Sequence, residues 1–293
     1  MKVLLTGGSG FIGRNLLESP LARKYRIAAP GHADLDLLND DAVKNCLKNG
    51  GFDFVIHAAA KPGHRNSEEP GKVLYENTRM FFNLARNAEY FKKMLVIGSG
   101  AIYDMRYYRP KMKENYFDTH VPADEHGFCK YVCGKYMEKT GKITDLRVFG
   151  IYGKYEDYSI RFISNMICKA IFDLPLTIKQ NRRFDYLWID DLYPVIEYLL
   201  ENMAEHQAYN VTPDTSVELI ELAERVLSVA GKDLPVKVAR PGLGAEYSGD
   251  NSRLKTEVKT ISFTPLDAAI KKLYSWYHAN KKSINREALL VDK

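Results

Sequence analysis

Gly7, Gly10 and Gly13 follow the apolar run Val3 to Thr6 and open a segment of helical periodicity. Glycines at this spacing suit one task, holding a diphosphate against the start of a helix. At position 7 a glycine lets the chain leave a strand in a conformation closed to side chains. At position 10 it removes the atoms that would block a pyrophosphate, and at position 13 it allows close helix–sheet packing. Phe11 and Ile12 complete the first helical turn, so the segment from Gly7 to Arg14 reads as a dinucleotide-binding turn. The next candidate strand ends in Ile27, Ala28, Ala29 and Pro30, with no acid at its tip. A carboxylate there would accept from a free ribose and repel a 2′-phosphate. Its absence, with Arg14 and His32 nearby, tilts the cofactor toward NADP and leaves NAD open. Arg14 reads equally well as a solvated helix residue. Asp36 and Leu37 fall where a loop could flank an adenine, and Ala58, Ala59 and Ala60 are small enough for a cofactor to lie against them. His57 reads as a hydrogen-bonded strand histidine rather than a catalyst.

The elements that must carry these residues are legible in the apolar pattern. Strand candidates at 3–6, 25–29, 54–57, 94–97 and 145–149 alternate with helical segments at about 11–19, 39–49, 72–90, 126–140, 160–172, 189–203, 216–230 and 266–280. Such alternation predicts an α/β fold, a doubly wound parallel sheet covered on both faces. After Gly150 the pattern becomes aromatic and proline-punctuated. The expected division is a dinucleotide-binding domain over 1–150, to which 186–207 returns, and a smaller substrate lobe over most of 151–293.

Composition narrows the class. With 293 residues, 45% hydrophobic and 27% charged, the chain can bury a large core, and disorder is excluded. A net charge of +5 spread over both signs gives no nucleic-acid footprint. Cys46, Cys129, Cys133 and Cys168 lack metal-ligand or redox-pair spacing and are expected as reduced thiols, with no metal. No leader or membrane-length apolar run is present in the sequence, so a cytoplasmic location is expected and no membrane partner.

Several further motifs occur in a fixed order: His57-Ala-Ala-Ala60, Asn77, Gly98-Ser-Gly-Ala-Ile-Tyr103, a helix with Lys130, Leu146 to Gly153, and Tyr186 to Asp191. As a set, with the glycine turn, they resemble the extended short-chain dehydrogenase/reductases of the NAD-dependent epimerase/dehydratase type, which modify nucleotide-linked sugars. The stretch from Asp34 to Tyr103 looks most like the branch of GDP-fucose synthases and 4-ketosugar reductases. The resemblance implies a Rossmann fold and a homodimer formed through the helices around 72–90 and 126–140. It also implies a serine that holds the sugar C4 oxygen, a tyrosine that moves its proton, and a lysine four residues later on the nicotinamide ribose. Ser99, four residues before Tyr103, matches the serine.

The tyrosine is where this chain departs from the resemblance. The helix reads Glu125-His-Gly-Phe-Cys-Lys-Tyr131, which puts His126 at the tyrosine position and Lys130 at the lysine position. A second register, Tyr131 with Lys135, restores the tyrosine but leaves a short connection to the strand that ends at Phe149. Spacing favours His126 and Lys130. A histidine donates only as the imidazolium, and a neighbouring ammonium shrinks that fraction. The resemblance further places Ala101 and, approximately, Arg161 where epimerising relatives carry a cysteine and a histidine, so epimerisation at carbons 3 and 5 is not expected. Tyr103 and Arg161, with Arg183 or its neighbour Arg182, are the expected substrate contacts. The resulting expectation is an NADP- or NAD-dependent reductase of a nucleotide-diphosphate 4-ketosugar. A 4-epimerase or dehydratase with tightly bound NAD, and a non-catalytic NADP-binding regulatory protein on the same fold, are the alternatives.

Overall fold

The computed structural model describes residues 1–61 and 72–290. The first half of the chain alternates strand and helix: β1 (Lys2–Thr6), α1 (Phe11–Glu18), α2 (Leu21–Lys24), β2 (Arg26–Ala28), α3 (Asp40–Gly50), β3 (Phe54–His57), α4 (Lys72–Ala85), β4 (Lys93–Ser99), α5 (Glu125–Met137) and β5 (Ile143–Val148). The second half adds β6 (Gly150–Tyr152), α6 (Phe162–Ile171), β7 (Leu176–Asn181), β8 (Arg183–Phe184), β9 (Tyr186–Trp188), α7 (Leu192–Glu201), β10 (Ala208–Val211), β11 (Val217–Glu218), α8 (Leu219–Ala230), β12 (Val236–Leu243), α9 (Ser252–Glu257) and α10 (Leu266–Ala279). Six strands form one parallel sheet in the order β10-β5-β4-β3-β1-β2. The expected doubly wound sheet is therefore present. Its sixth strand, β10, is short and carries Asn210, which hid it from the apolar pattern.

Alternate residues of the central strands face opposite layers. Val3, Leu5, Leu95 and Ile97 belong to the buried cluster that includes α1 and α7 and continues into the second half of the chain, whereas Leu4, Val55, Met94 and Val96 belong to the one that includes α3, α4 and α5. Each fully buried aliphatic side chain contributes about 1.5–3 kcal/mol, and a one-residue slip would exchange the two layers, so register is fixed from both faces. Local signals set the helix ends. Asn39 caps α3 by accepting from the Ala42 amide, Asp40 and Asp41 follow in its first turn, and Gly51 at φ 60° terminates it. Asp124 caps α5 by accepting from Gly127 N at 2.9 Å.

The chain after β5 returns once to the sheet, through α7 and β10. The remaining second-half elements build three two-stranded sheets, β11 with β8, β12 with β7 and β6 with β9, and the packed helices α6, α8 and α10. Among the described residues, no helix is long and apolar enough to cross a membrane.

Candidate active site at the C-terminal edge of the sheet

The C-terminal ends of β1, β3 and β4 lie side by side, with Thr6 opposite His57 and His57 opposite Val96. At the first of these ends Gly7 adopts φ 75°, and a Cβ placed on it would lie 2.6 Å from Ala59 N. The turn therefore runs directly against the backbone that follows β3, and position 7 admits only glycine. Gly13 closes the turn, since a Cβ there would lie 2.1 Å from the Gly7 carbonyl oxygen. Gly10 is different. The nearest atom to an added Cβ would be that same oxygen at 3.4 Å, and Gly10 caps α1 with no side-chain hydrogen bond. A helix start left uncapped beside an open glycine fits a pyrophosphate.

Other expected cofactor residues are placed with mixed results. His32 and Asp36 are exposed beyond β2, where Asp36 accepts from Leu38 N. Leu37 is buried between β1 and α3 and is corrected from an adenine contact to a core residue; its carbonyl accepts from Asn83. The Arg14 guanidinium stacks on the Tyr155 ring at 3.6 Å, next to Glu18, whose carboxyl is lowered by hydrogen bonds from Lys154 and Tyr155 and further by the Arg14 charge. Arg14 is therefore engaged on the side of α1 that meets the second half of the chain. The NADP preference then rests on the acid-free end of β2 and on His32.

Ser99 ends β4, and its Oγ accepts from Ala101 N at 3.1 Å, leaving its own hydrogen to donate elsewhere. The first turn of α5 is pressed against this same bend. A Cβ on Gly127 would lie 2.7 Å from the Ala101 carbonyl oxygen, so glycine at 127 is what lets the first turn of α5 meet the Ser99–Ala101 turn. One turn on, Lys130 lines a small cavity with His57, Asn77 and Gly98. The alternative pair lies elsewhere: the Tyr131 hydroxyl and the Lys135 ammonium both bind the Asp118 carboxylate, Lys135 at 2.8 Å, on an exposed loop. His57 shares a 2.8 Å hydrogen bond with Thr6 Oγ1 through Nδ1, and burial reinforced by the Lys130 charge lowers its pKa to about 3. It is a neutral strand histidine, unsuited to proton donation.

Asn77 clamps the segment after the alanines, accepting from Lys61 N at 2.8 Å and donating to Lys61 O at 3.2 Å. Glu125 accepts from Leu74 N at 2.9 Å, which ties the start of α5 to the first turn of α4.

The expected substrate contacts need correction. Tyr103 is 2% exposed; its hydroxyl donates to Asn210 Oδ1 at 2.7 Å and accepts from Arg147 at 3.0 Å, so it is a core residue. Desolvation pushes its pKa up to about 12. Arg183 is held by Ser216 and Glu218, at 3.2 Å to the Glu218 carboxylate, between β8 and β11. Its neighbour Arg182 lies over the Phe184 ring at 6.0 Å. Arg161 is exposed at the start of α6, where its charge reaches Glu156 and Tyr186. Two residues that sequence patterns did not single out meet at the serine turn. Tyr108 Oη donates to Gly100 O at 3.2 Å, and Tyr247 Oη lies 2.7 Å from where a Gly100 Cβ would be. The glycine at 100 was the one available signal, and it does not say which distant residue fills its space.

The profile of the NAD dependent epimerase/dehydratase family matches residues 3–212. This chain belongs to that family. It is accordingly an NAD(P)-dependent enzyme of the sugar-nucleotide epimerase, dehydratase and reductase class. GDP-L-colitose synthase of Yersinia pseudotuberculosis is 25% identical over 227 residues, covering 70% of this chain and 74% of that protein. GDP-6-deoxy-D-talose 4-dehydrogenase of Aggregatibacter actinomycetemcomitans is 25% identical over 293 residues, 89% of this chain and 95% of its own. Among solved structures, the GDP-mannoheptose C4 reductase of Campylobacter jejuni with NADP bound superposes with a TM-score of 0.82 at 20% identity, covering 94% of this chain and 98% of that one. The fold and family expected from the motifs are borne out.

Proposed function

We propose that this enzyme reduces the C4 ketone of a nucleotide-diphosphate sugar with NADPH, and that Ser99, His126 and Lys130 carry the reaction. The observation that best supports this reading is the close approach of Gly127 to the Ala101 carbonyl, which packs the first turn of α5 on the serine turn, with Lys130 lining a cavity one turn on. Bound at the glycine turn, the nicotinamide cofactor supplies the hydride. Ser99 donates its free hydroxyl hydrogen to the C4 oxygen and orients the ketone. His126, as the imidazolium, gives that oxygen its proton, and Lys130 binds the nicotinamide ribose and adds positive charge where negative charge develops. The relatives named above support a GDP-linked sugar as the first substrate to test. In this reading residues 1–150, with the returning segment 186–207, hold the dinucleotide, and most of 151–293 holds the sugar nucleotide. Arg182, rather than Arg183, is the better candidate for its diphosphate.

A homodimer fits the same reading. The outer faces of α4 and α5 present a groove lined by Tyr75, Arg79, Phe82 and Tyr136, with Tyr75 62% exposed. The free thiols of Cys46, Cys129, Cys133 and Cys168 suit a cytoplasmic setting.

The test is NADPH oxidation with a GDP-4-keto-6-deoxysugar, together with analysis of any nucleotide that copurifies. Turnover with NADPH and an initially empty cofactor site is the expected result. Tightly held NAD with interconversion of C4 epimers would replace the reductase reading by the epimerase one. Cofactor binding without turnover of any nucleotide sugar would favour a regulatory role.

A further inference from the structure

A buried carboxylate lies behind the candidate lysine and is used by nothing in the scheme above. Asp145 stands on β5, two residues before Arg147, so both side chains leave the same face of the strand. It is 2% exposed. Asp145 Oδ2 accepts from Arg147 Nε at 3.0 Å, whereas Oδ1 has no hydrogen-bond partner among the described residues. Gly98 of β4, which pairs with Arg147 while Val96 pairs with Asp145, makes room for that second oxygen: a Cβ on Gly98 would lie 1.9 Å from Asp145 Oδ1. Gly98 is thus the reason the carboxylate can tip toward α5 instead of remaining wholly with its arginine.

What it tips toward is the cavity already occupied at its rim by Lys130. The cavity measures about 20 Å³ and is lined by His57, Asn77, Gly98, Lys130, Cys133 and Asp145. That is room for a single water, and since Oδ1 makes no direct hydrogen bond, a water in this cavity is what would bridge the carboxylate to the Lys130 ammonium. The other titratable groups of the cavity offer the carboxylate no competing cation: the imidazole of His57 is neutral, and burial pushes the Cys133 thiol up. Burial likewise raises Asp145, while the charges of Arg147 and Lys130 act in the opposite direction. A buried oxygen with unused lone pairs is costly unless a donor is supplied, and Lys130 is the donor-only side chain at hand.

We propose that Asp145 is a positioning residue for Lys130: across a water in the shared cavity, its Oδ1, admitted by Gly98, orients the Lys130 ammonium at the floor of the cofactor site. This rests on the proposed role of Lys130, and the experiment separates the two. Asp145→Asn keeps the shape and an acceptor for Arg147 but removes the charge. It is combined with Lys130→Met in a double-mutant cycle, read both as NADPH affinity and as the melting temperature of the cofactor-free protein. Asp145→Asn should weaken NADPH about tenfold in the wild-type background and less than about twofold beside Lys130→Met, and the melting shifts should be non-additive in the same way. Should Asp145→Asn fail to fold, Asp145→Leu with Arg147→Met replaces the whole buried pair by apolar groups of similar volume, a change that cores commonly accept, and carries the same cycle. Additive losses in both readouts would make Asp145 a partner of Arg147 alone and overturn the proposal. Non-additive melting shifts with wild-type NADPH affinity in Lys130→Met would uphold the contact and remove Lys130 from the cofactor instead.

Discussion

At the level of single residues, the proposed use of His126 where the resemblance expects a tyrosine would decide how this enzyme works. A phenol remains protonated across the working pH range and can donate directly, whereas an imidazole must first acquire a second proton. Acid-shifted turnover is what the proposed role of His126 predicts. His126→Phe is expected to lower kcat about a hundredfold while NADPH binding survives, as for loss of a positioned general acid. Tyr131→Phe should change kcat little, because that hydroxyl is engaged with Asp118. His126→Tyr should retain or raise activity and shift its pH profile to the alkaline side. Steady-state kinetics over pH with all three variants checks this, and a dead Tyr131→Phe beside a near-normal His126→Phe would transfer the role to Tyr131 and Lys135.

At the level of elements, the glycine turn works because its glycines do different things. Gly10 faces open space at the start of α1, so Gly10→Val should fold with near-normal stability and yet lose dinucleotide binding, its side chain standing in the pyrophosphate's path. Gly13 is wedged on the Gly7 carbonyl, so Gly13→Val should lose stability as well, because helix and turn must separate to admit any side chain. Urea unfolding paired with NADPH titration distinguishes the two. Equal stability losses in both variants would mean that Gly10 is as confined as Gly13. The pressing of α5 against the serine turn follows the same logic: Gly127 is there to let two backbones meet, and Asp124 fixes where the helix begins.

At the level of the whole molecule, two consequences concern the second half of the chain and the outer helix faces. Glu156 is buried beside α6, with its Oε2 accepting from Ser164 Oγ at 2.6 Å. Burial raises its pKa from 4.5 to about 8. The folded state therefore holds that proton more tightly than the unfolded chain, and the stability this provides is full below pH 4.5 and is lost as pH rises to about 8. Glu156→Gln should thus gain stability relative to the parent across that window, seen in urea midpoints taken at several pH values; a constant difference would show that Glu156 does not titrate there. On the outer faces, Tyr75→Glu should convert a dimer to monomer in light scattering, since a carboxylate would be buried in the groove of α4 and α5. A monomeric parent protein would remove the dimer.

Local order along the chain was enough to read the glycine turn, five of the six main strands, most helices and the place of Ser99. Each of these depends on neighbours within a few residues: a strand's apolar alternation, a helix's period, a glycine that must follow a strand. The roles of particular side chains were another matter. Tyr103 sits in a motif as a substrate contact would, but its hydroxyl meets Asn210 and Arg147, residues that only the pairing of β5 with β10 brings to it. Arg183 is captured by Glu218 across a two-stranded pairing. Asp145 reads as one polar residue in an apolar strand until Gly98 on the neighbouring strand shows which way its carboxylate can turn. Backbone periodicity is written in near neighbours, whereas the partner that satisfies a buried polar group is chosen by packing between segments tens of residues apart, and only the assembled sheet decides it.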